Sequence, residues 1–195
     1  MPYRFAPIAA LSAIAMLTAC SDSPEDAPAS QPEPELATSV DAVPAPSPER
    51  TIPPGTDVLS PQGLGLLVVG KPIPQGSSFA VRGAQASDSC LIASSPDFPD
   101  VYVIEEDGVV KRITASQGAK LELASGVRVG MDEAEARKLM GTVREVPHKY
   151  ADAPAKYLFE TGSDPHVMVE IGADGTVTQL HVGTMPALGY VEACS

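Results

Sequence analysis

Three histidines are the side chains most able to exchange protons near neutral pH: His148, His166 and His181. They lie 18 and 15 residues apart, without the H-E-x-x-H spacing that places two imidazoles on one helix face for zinc. Asp152 and Asp164 could complete a metal site only where the fold gathers them, and scattered strand or surface histidines are the simpler reading. The chain has no G-x-S-x-G nucleophile elbow and no glycine-rich loop built to cradle phosphate. Glu105-Glu106-Asp107 lacks the ligand spacing of a calcium loop and reads as a solvated hairpin tip. The expectation is a non-catalytic protein with no metal and no cofactor.

Charge narrows the partners. Across 195 residues, 13 Lys+Arg stand against 25 Asp+Glu, a formal charge of -12. Such a chain carries no basic footprint for a phosphate backbone, which argues against nucleic acid.

The N-terminus carries an address. Arg4 precedes an apolar run over residues 8–17, too short for the roughly 20 residues that span a bilayer but suited to a secretory signal. Leu17-Thr18-Ala19-Cys20 then resembles the lipobox of bacterial lipoprotein precursors. That resemblance implies cleavage of residues 1–19 as a signal peptide, diacylglycerol on the Cys20 sulfur and an acylated Cys20 amine. Several acyl chains, unlike one, anchor a protein stably to a membrane. Ser21 in place of Asp after the cysteine is similar to the outer-membrane sorting pattern, so the expected location is the cell envelope: the outer membrane, facing the periplasm.

With Cys20 lipidated, Cys90 and Cys194 remain. In an exported protein an even pair reads as a disulfide, with two free thiols as the alternative. Closing a loop of about 100 residues is worth roughly 4–5 kcal/mol in the chain-entropy picture. Redox catalysis would want a C-x-x-C pair, which is absent.

Residues 20–55 read as a linker. Between residues 21 and 50 lie seven prolines and seven acids against the single base Arg50. So few apolar residues cannot recover the ordering entropy of the chain, and a disordered, polyproline-biased, charge-stretched tether is expected.

The remaining residues, 56–195, suit one globular head. Two β-rich runs flank Asp107-Gly108 and two flank Asp174-Gly175, each a hairpin signal, and their separation of 67 residues suggests a duplication. The implied units are 56–118 and 119–195. In the second, Asp132 with Glu135 starts a helix, Ala136, Leu139 and Met140 form its buried stripe, and Gly141 ends it. Strand-like runs follow over residues 143–146 and Lys156–Glu160, with Pro154 between. In the first unit Pro72 and Pro74 sit where the helix would run, so it is at best a degenerate copy. The fold class expected is α+β: an antiparallel sheet with one or two helices packed on one face.

Residues 126–141 (Gly-Val-Arg-Val-Gly-Met-Asp-Glu-Ala-Glu-Ala-Arg-Lys-Leu-Met-Gly) resemble the G-M-(T/S)-x-x-E-(V/A)-x-x-x-(L/M)-G signature of the SmpA/OmlA, BamE-like lipoproteins, with Asp132 at the T/S position. That family's small α/β fold is shared with the tandem-repeat β-lactamase inhibitory proteins. Aromatic strands follow the signature there, as Tyr150, Tyr157 and Phe159 do here. The resemblance covers residues 126–183, and the ending Tyr190-Val191-Glu192-Ala193-Cys194 is similar to that of proteobacterial envelope lipoproteins. It implies a membrane-anchored head that binds an envelope protein in an assembly or inhibitory role. A sheet face bearing Tyr150, Tyr157 and Phe159 is the expected contact surface, with Tyr150 and Tyr157 as its binding residues, because aromatics carry interface energy well. A core position for the rings is the alternative to that surface. A peptidoglycan- or carbohydrate-binding head is the alternative, weakened by the absence of tryptophan and asparagine.

Overall fold

In the computed structural model the described residues are 57–162 and 164–194. The lipobox, Cys20 and the proline-rich linker lie outside them.

The head is built on an eight-stranded antiparallel sheet of order β4-β5-β6-β7-β12-β11-β10-β9. Its strands are β4 (Ala80–Val81), β5 (Cys90–Ser95), β6 (Phe98–Glu106), β7 (Val109–Ala115), β9 (Val143–Pro147), β10 (Lys156–Glu160), β11 (His166–Ile171) and β12 (Val177–Gly183). A second, four-stranded sheet of order β3-β2-β1-β8 uses β1 (Val58–Ser60), β2 (Gly63–Leu64), β3 (Leu67–Val68) and β8 (Glu122–Leu123). Its β1–β8 pair is parallel. One α-helix, α1 (Glu133–Met140), completes an α+β head that is mostly antiparallel sheet.

Both expected hairpins form. Asp107 and Gly108 have φ of 53° and 75°, the double left-handed step that lets a two-residue turn follow the strand twist. At the second tip Asp174 Oδ1 accepts from the Thr176 amide at 3.0 Å and its hydroxyl at 2.8 Å. The hairpins join where β7 pairs β12, with Thr114 opposite His181, Ala115 opposite Leu180 and Ile113 opposite Val182. Thr114 and His181 are 67 residues apart, so a shift by the hairpin spacing maps this pair onto itself and exchanges the other two.

Strand alternation then sorts the side chains. The cross-strand row Leu158–Val169–Leu180–Ala115–Val101 lies in the main core with Leu59, Leu64 and Leu123 of the small sheet and Ala136 and Met140 of α1. The neighbouring row, Phe159–Met168–His181–Thr114–Tyr102–Ser94, points to the opposite face.

Helix α1 starts and stops where the sequence places it, with Asp132 at the N-cap and Gly141 at the C-cap at φ 73°. Two details differ. The Asp132 side chain makes no capping bond; its main-chain carbonyl accepts from Ala136 at 2.9 Å. Leu139 is not the buried anchor, being 42% exposed while Ala136 and Met140 are buried. The cause is geometric: a two-turn helix touches the sheet along the line of residues 136 and 140, and Leu139 lies about 100° round from Met140. Glu133 ties the helix to the sheet by accepting from Arg137 at 2.8 Å and Lys156 at 3.1 Å, and Arg137 also pairs with Glu145. The stretch over residues 71–79, with Pro72 and Pro74, forms no helix, as the prolines lead one to expect.

Met140→Ala should therefore cost about 2–5 kcal/mol, as buried truncations do. Leu139→Ala should cost about 1 kcal/mol or less, nearer a surface site. Chemical denaturation midpoints of the two variants, read against the parent, check this ordering.

Candidate functional site

The outer face of the large sheet holds the concentration of polar and ionisable groups. After β12 the chain turns back across it, and a 3₁₀ turn (Ala187–Gly189) packs against β7 and β12. Leu188 is fully buried in a small cluster with Tyr157 and Met168, flanked by Val146 and Phe159. The segment ends at Cys194, whose sulfur is bonded to that of Cys90 at the start of β5, with the Cα atoms 5.8 Å apart. The structure thus pairs the two cysteines that remain beside Cys20.

Beneath this strap lies Arg112, only 1% exposed. It sits opposite Gly183, where a Cβ would come within 2.3 Å of the Lys111 carbonyl and 2.9 Å of Arg112 Cα, so only glycine permits this approach. Arg112 Nη1 donates to the carbonyls of Ala187 at 3.1 Å and Tyr190 at 2.5 Å, and Nη2 donates to the Tyr102 hydroxyl at 3.3 Å. Among the described residues it makes no ion pair, and its Nε has no hydrogen-bond partner. Burial lowers its pKa, opposed mainly by Tyr102; a guanidinium remains charged regardless.

His181 is 3% exposed and joined through Nδ1 to Thr114 Oγ1 at 2.9 Å, while Nε2 has no partner. Burial first, and the positive Arg112 second, push its pKa well below the ordinary value, so it is neutral.

The other expected residues fall into separate places. His148 stacks on Tyr157 at 4.7 Å between ring centres, and its Nδ1 accepts from the amides of Tyr150 and Ala151 at 3.2 and 3.0 Å. Its Nε2 faces Glu170 at 3.6 Å, so both ring nitrogens are engaged in holding the β9–β10 connection. His166 lines a separate pocket of about 260 Å³ with Arg144, Phe159 and Met185. Among the described residues no three His, Cys, Asp or Glu side chains, Asp152 and Asp164 included, gather into a metal-holding group. Tyr150 is 66% exposed, with Lys149 Nζ 5.6 Å from its ring centre. Tyr157 is 8% exposed, so its ring supports the Leu188 cluster and offers little surface to a partner. Phe159 flanks the cluster beneath the Arg144 guanidinium at 4.9 Å.

Sequence reasoning missed Arg112, Thr114 and Leu188. One signal was present: the 67-residue spacing that relates the hairpin tips also relates Thr114 to His181. Chemically the arrangement is a buried cation and a neutral imidazole closed over by the chain's own carbonyls. It binds and holds.

The chain matches no protein-family model, and no curated protein and no solved structure matches it.

A neutral buried histidine sets a pH dependence. The unfolded chain takes up a proton on His181 below pH about 6.5 while the folded chain does not. The unfolded state then binds more protons, so stability falls as pH drops below about 6.5, by up to about 1.4 kcal/mol per pH unit. Denaturation series between pH 7.5 and 5 should show this slope in the parent and a shallower one in His181→Gln.

Proposed function

We propose that the protein is a non-catalytic lipoprotein of the bacterial cell envelope, anchored through lipid on Cys20, whose head binds an envelope protein. The observation carrying this reading is the Cys90–Cys194 bond in the head. A disulfide persists in exported proteins, and Leu17-Thr18-Ala19-Cys20 supplies both export and an anchor. The outer membrane, facing the periplasm, is the proposed location, with the acidic proline-rich linker as the spacer between membrane and head.

The signature-like run over residues 126–141 supports a reading of the head as similar to the SmpA/OmlA, BamE-like lipoproteins. The two halves of the large sheet are proposed to be a degenerate tandem repeat, β4–β7 and β9–β12. The self-mapping β7–β12 register supports that, and the first copy lacks the helix. Binding rather than chemistry is favoured because Arg112 Nη1 is committed to carbonyls of the protein's own strap and His181 Nδ1 to Thr114. Tyr150 is the proposed contact residue, since an exposed aromatic with a polar tip carries interface energy well. Tyr157 supports it from below through the ring of His148.

Two measurements test the proposal. Cys20→Ser should move the protein from the detergent phase to the aqueous phase; unchanged partitioning ends the lipoprotein reading. A photo-crosslinking residue at position 150 should give a discrete product with an envelope protein in native membranes, and the same residue at Asp107 should not. Capture of peptidoglycan in place of a protein would replace the partner reading with the carbohydrate one.

A further inference from the structure

The strap over the outer face, residues 184–194, is attached in three graded ways. Near its start the Thr184 amide donates to the Lys111 carbonyl at 3.0 Å. In the middle Leu188 is buried against Tyr157 and Met168, and the Ala187 and Tyr190 carbonyls sit on Arg112. Beyond Tyr190 the side chains are more exposed, Val191 and Ala193 partly and Glu192 more so, with the Tyr150 hydroxyl donating to Glu192 Oε1 at 3.5 Å. There the covalent bond from Cys194 to Cys90 holds the end.

The closed arrangement also carries a cost. Arg112 is a buried cation with no carboxylate in ion-pair contact among the described residues, supported by Tyr102 and, less, by the charge of Glu170. Arg112 Nε and His181 Nε2 are both buried without a hydrogen-bond partner. Each such group forfeits the water it would bind in the open, a penalty that removal of the cover relieves. These costs offset part of what buried Leu188 and the Arg112 hydrogen bonds contribute to closure, and the disulfide adds to the closed side.

We infer that residues 184–194 are a redox-latched strap: reduction of the Cys90–Cys194 bond releases the strap and uncovers Arg112, His181 and the Tyr157–Met168 cluster. The co-reactant is a dithiol. Its thiolate attacks the Cys194 sulfur, the more exposed end of the bond, forming a mixed disulfide and expelling the Cys90 thiolate, which takes a proton. The second thiol of the reductant then displaces Cys194 as a thiolate, which is protonated in turn. The protein gains two electrons and two protons, and the dithiol leaves as its own disulfide. The main core lies on the other face of the sheet and has no part in the exchange.

The test is hydrogen–deuterium exchange on the full chain, oxidised and after treatment with excess dithiothreitol. The amides of Leu188, Gly189 and Tyr190 bond within the strap, to Thr184, Pro186 and Ala187. Their exchange should accelerate about tenfold or more on reduction, while Val103 and Val169 in the sheet stay unchanged, as a local opening requires. Cys194→Ser should reproduce the reduced pattern without reductant. An NMR titration adds a second readout: the His181 ring should titrate between pH 7.5 and 5.5 only in the reduced protein, where water reaches Nε2. Equal strap exchange in both redox states overturns the inference, because Leu188 and Arg112 would then suffice to hold the strap. Equal acceleration across the whole sheet, or a Cys194→Ser protein that fails to fold, also overturns it, because the bond would then staple the entire head.

Discussion

The architecture depends on one strand pair. β7 and β12 are distant in sequence, and their alignment makes a single eight-stranded sheet of two four-stranded halves. A slip of one residue there would turn every side chain of one half to the wrong face. Two features fix the register. The buried Thr114–His181 hydrogen bond can form in only one alignment, and Gly183 alone tolerates the closeness of the Lys111 and Arg112 backbone. From that pairing follow an apolar inner row and an outer row carrying Met168, His181, Thr114 and Tyr102.

The inner face is closed conventionally. The small sheet and α1 bring Leu59, Leu64, Leu123, Ala136 and Met140 onto Val101, Leu158, Val169 and Leu180. Each fully buried side chain of that size contributes about 1.5–3 kcal/mol relative to exposure. The ionic cluster of Glu133, Arg137, Glu145 and Lys156 lies at the margin of this contact. Its members are partly exposed, so it orients the helix more than it stabilises it.

Legibility in the sequence followed the range of the interactions. Both hairpins could be read because Asp-Gly turns are local and the flanking runs are β-branched. The start and end of α1 were readable for the same reason. Leu139 was misplaced because amphipathic counting does not say how little of a two-turn helix meets the sheet. The small sheet could not be anticipated: β2, β3 and β8 have two residues each, and the β1–β8 pair joins residues more than sixty positions apart. The outer site was partly visible. His181, Cys90 and Cys194 were singled out by residue type, whereas nothing in the strand run over residues 109–113 marks Arg112 as buried. Its burial is set by a strap that arrives 75 residues later, which no local pattern carries.

The two faces consequently differ in kind. The inner face is covered by the small sheet and α1, whose apolar residues belong to one cluster with those of the large sheet, so uncovering it dismantles the core. The strap across the outer face is held by buried Ala187 and Leu188, the Thr184–Lys111 backbone bond, hydrogen bonds to the Arg112 guanidinium and one covalent bond. Arg112 suits that position because it offers several donors in a fixed fork and accepts carbonyls that arrive from an irregular segment. A carboxylate in their place would have made a tighter, more permanent closure. The cover of the outer face is thus the part of the head that can change while the sheet, the helix and the inner core stay as they are.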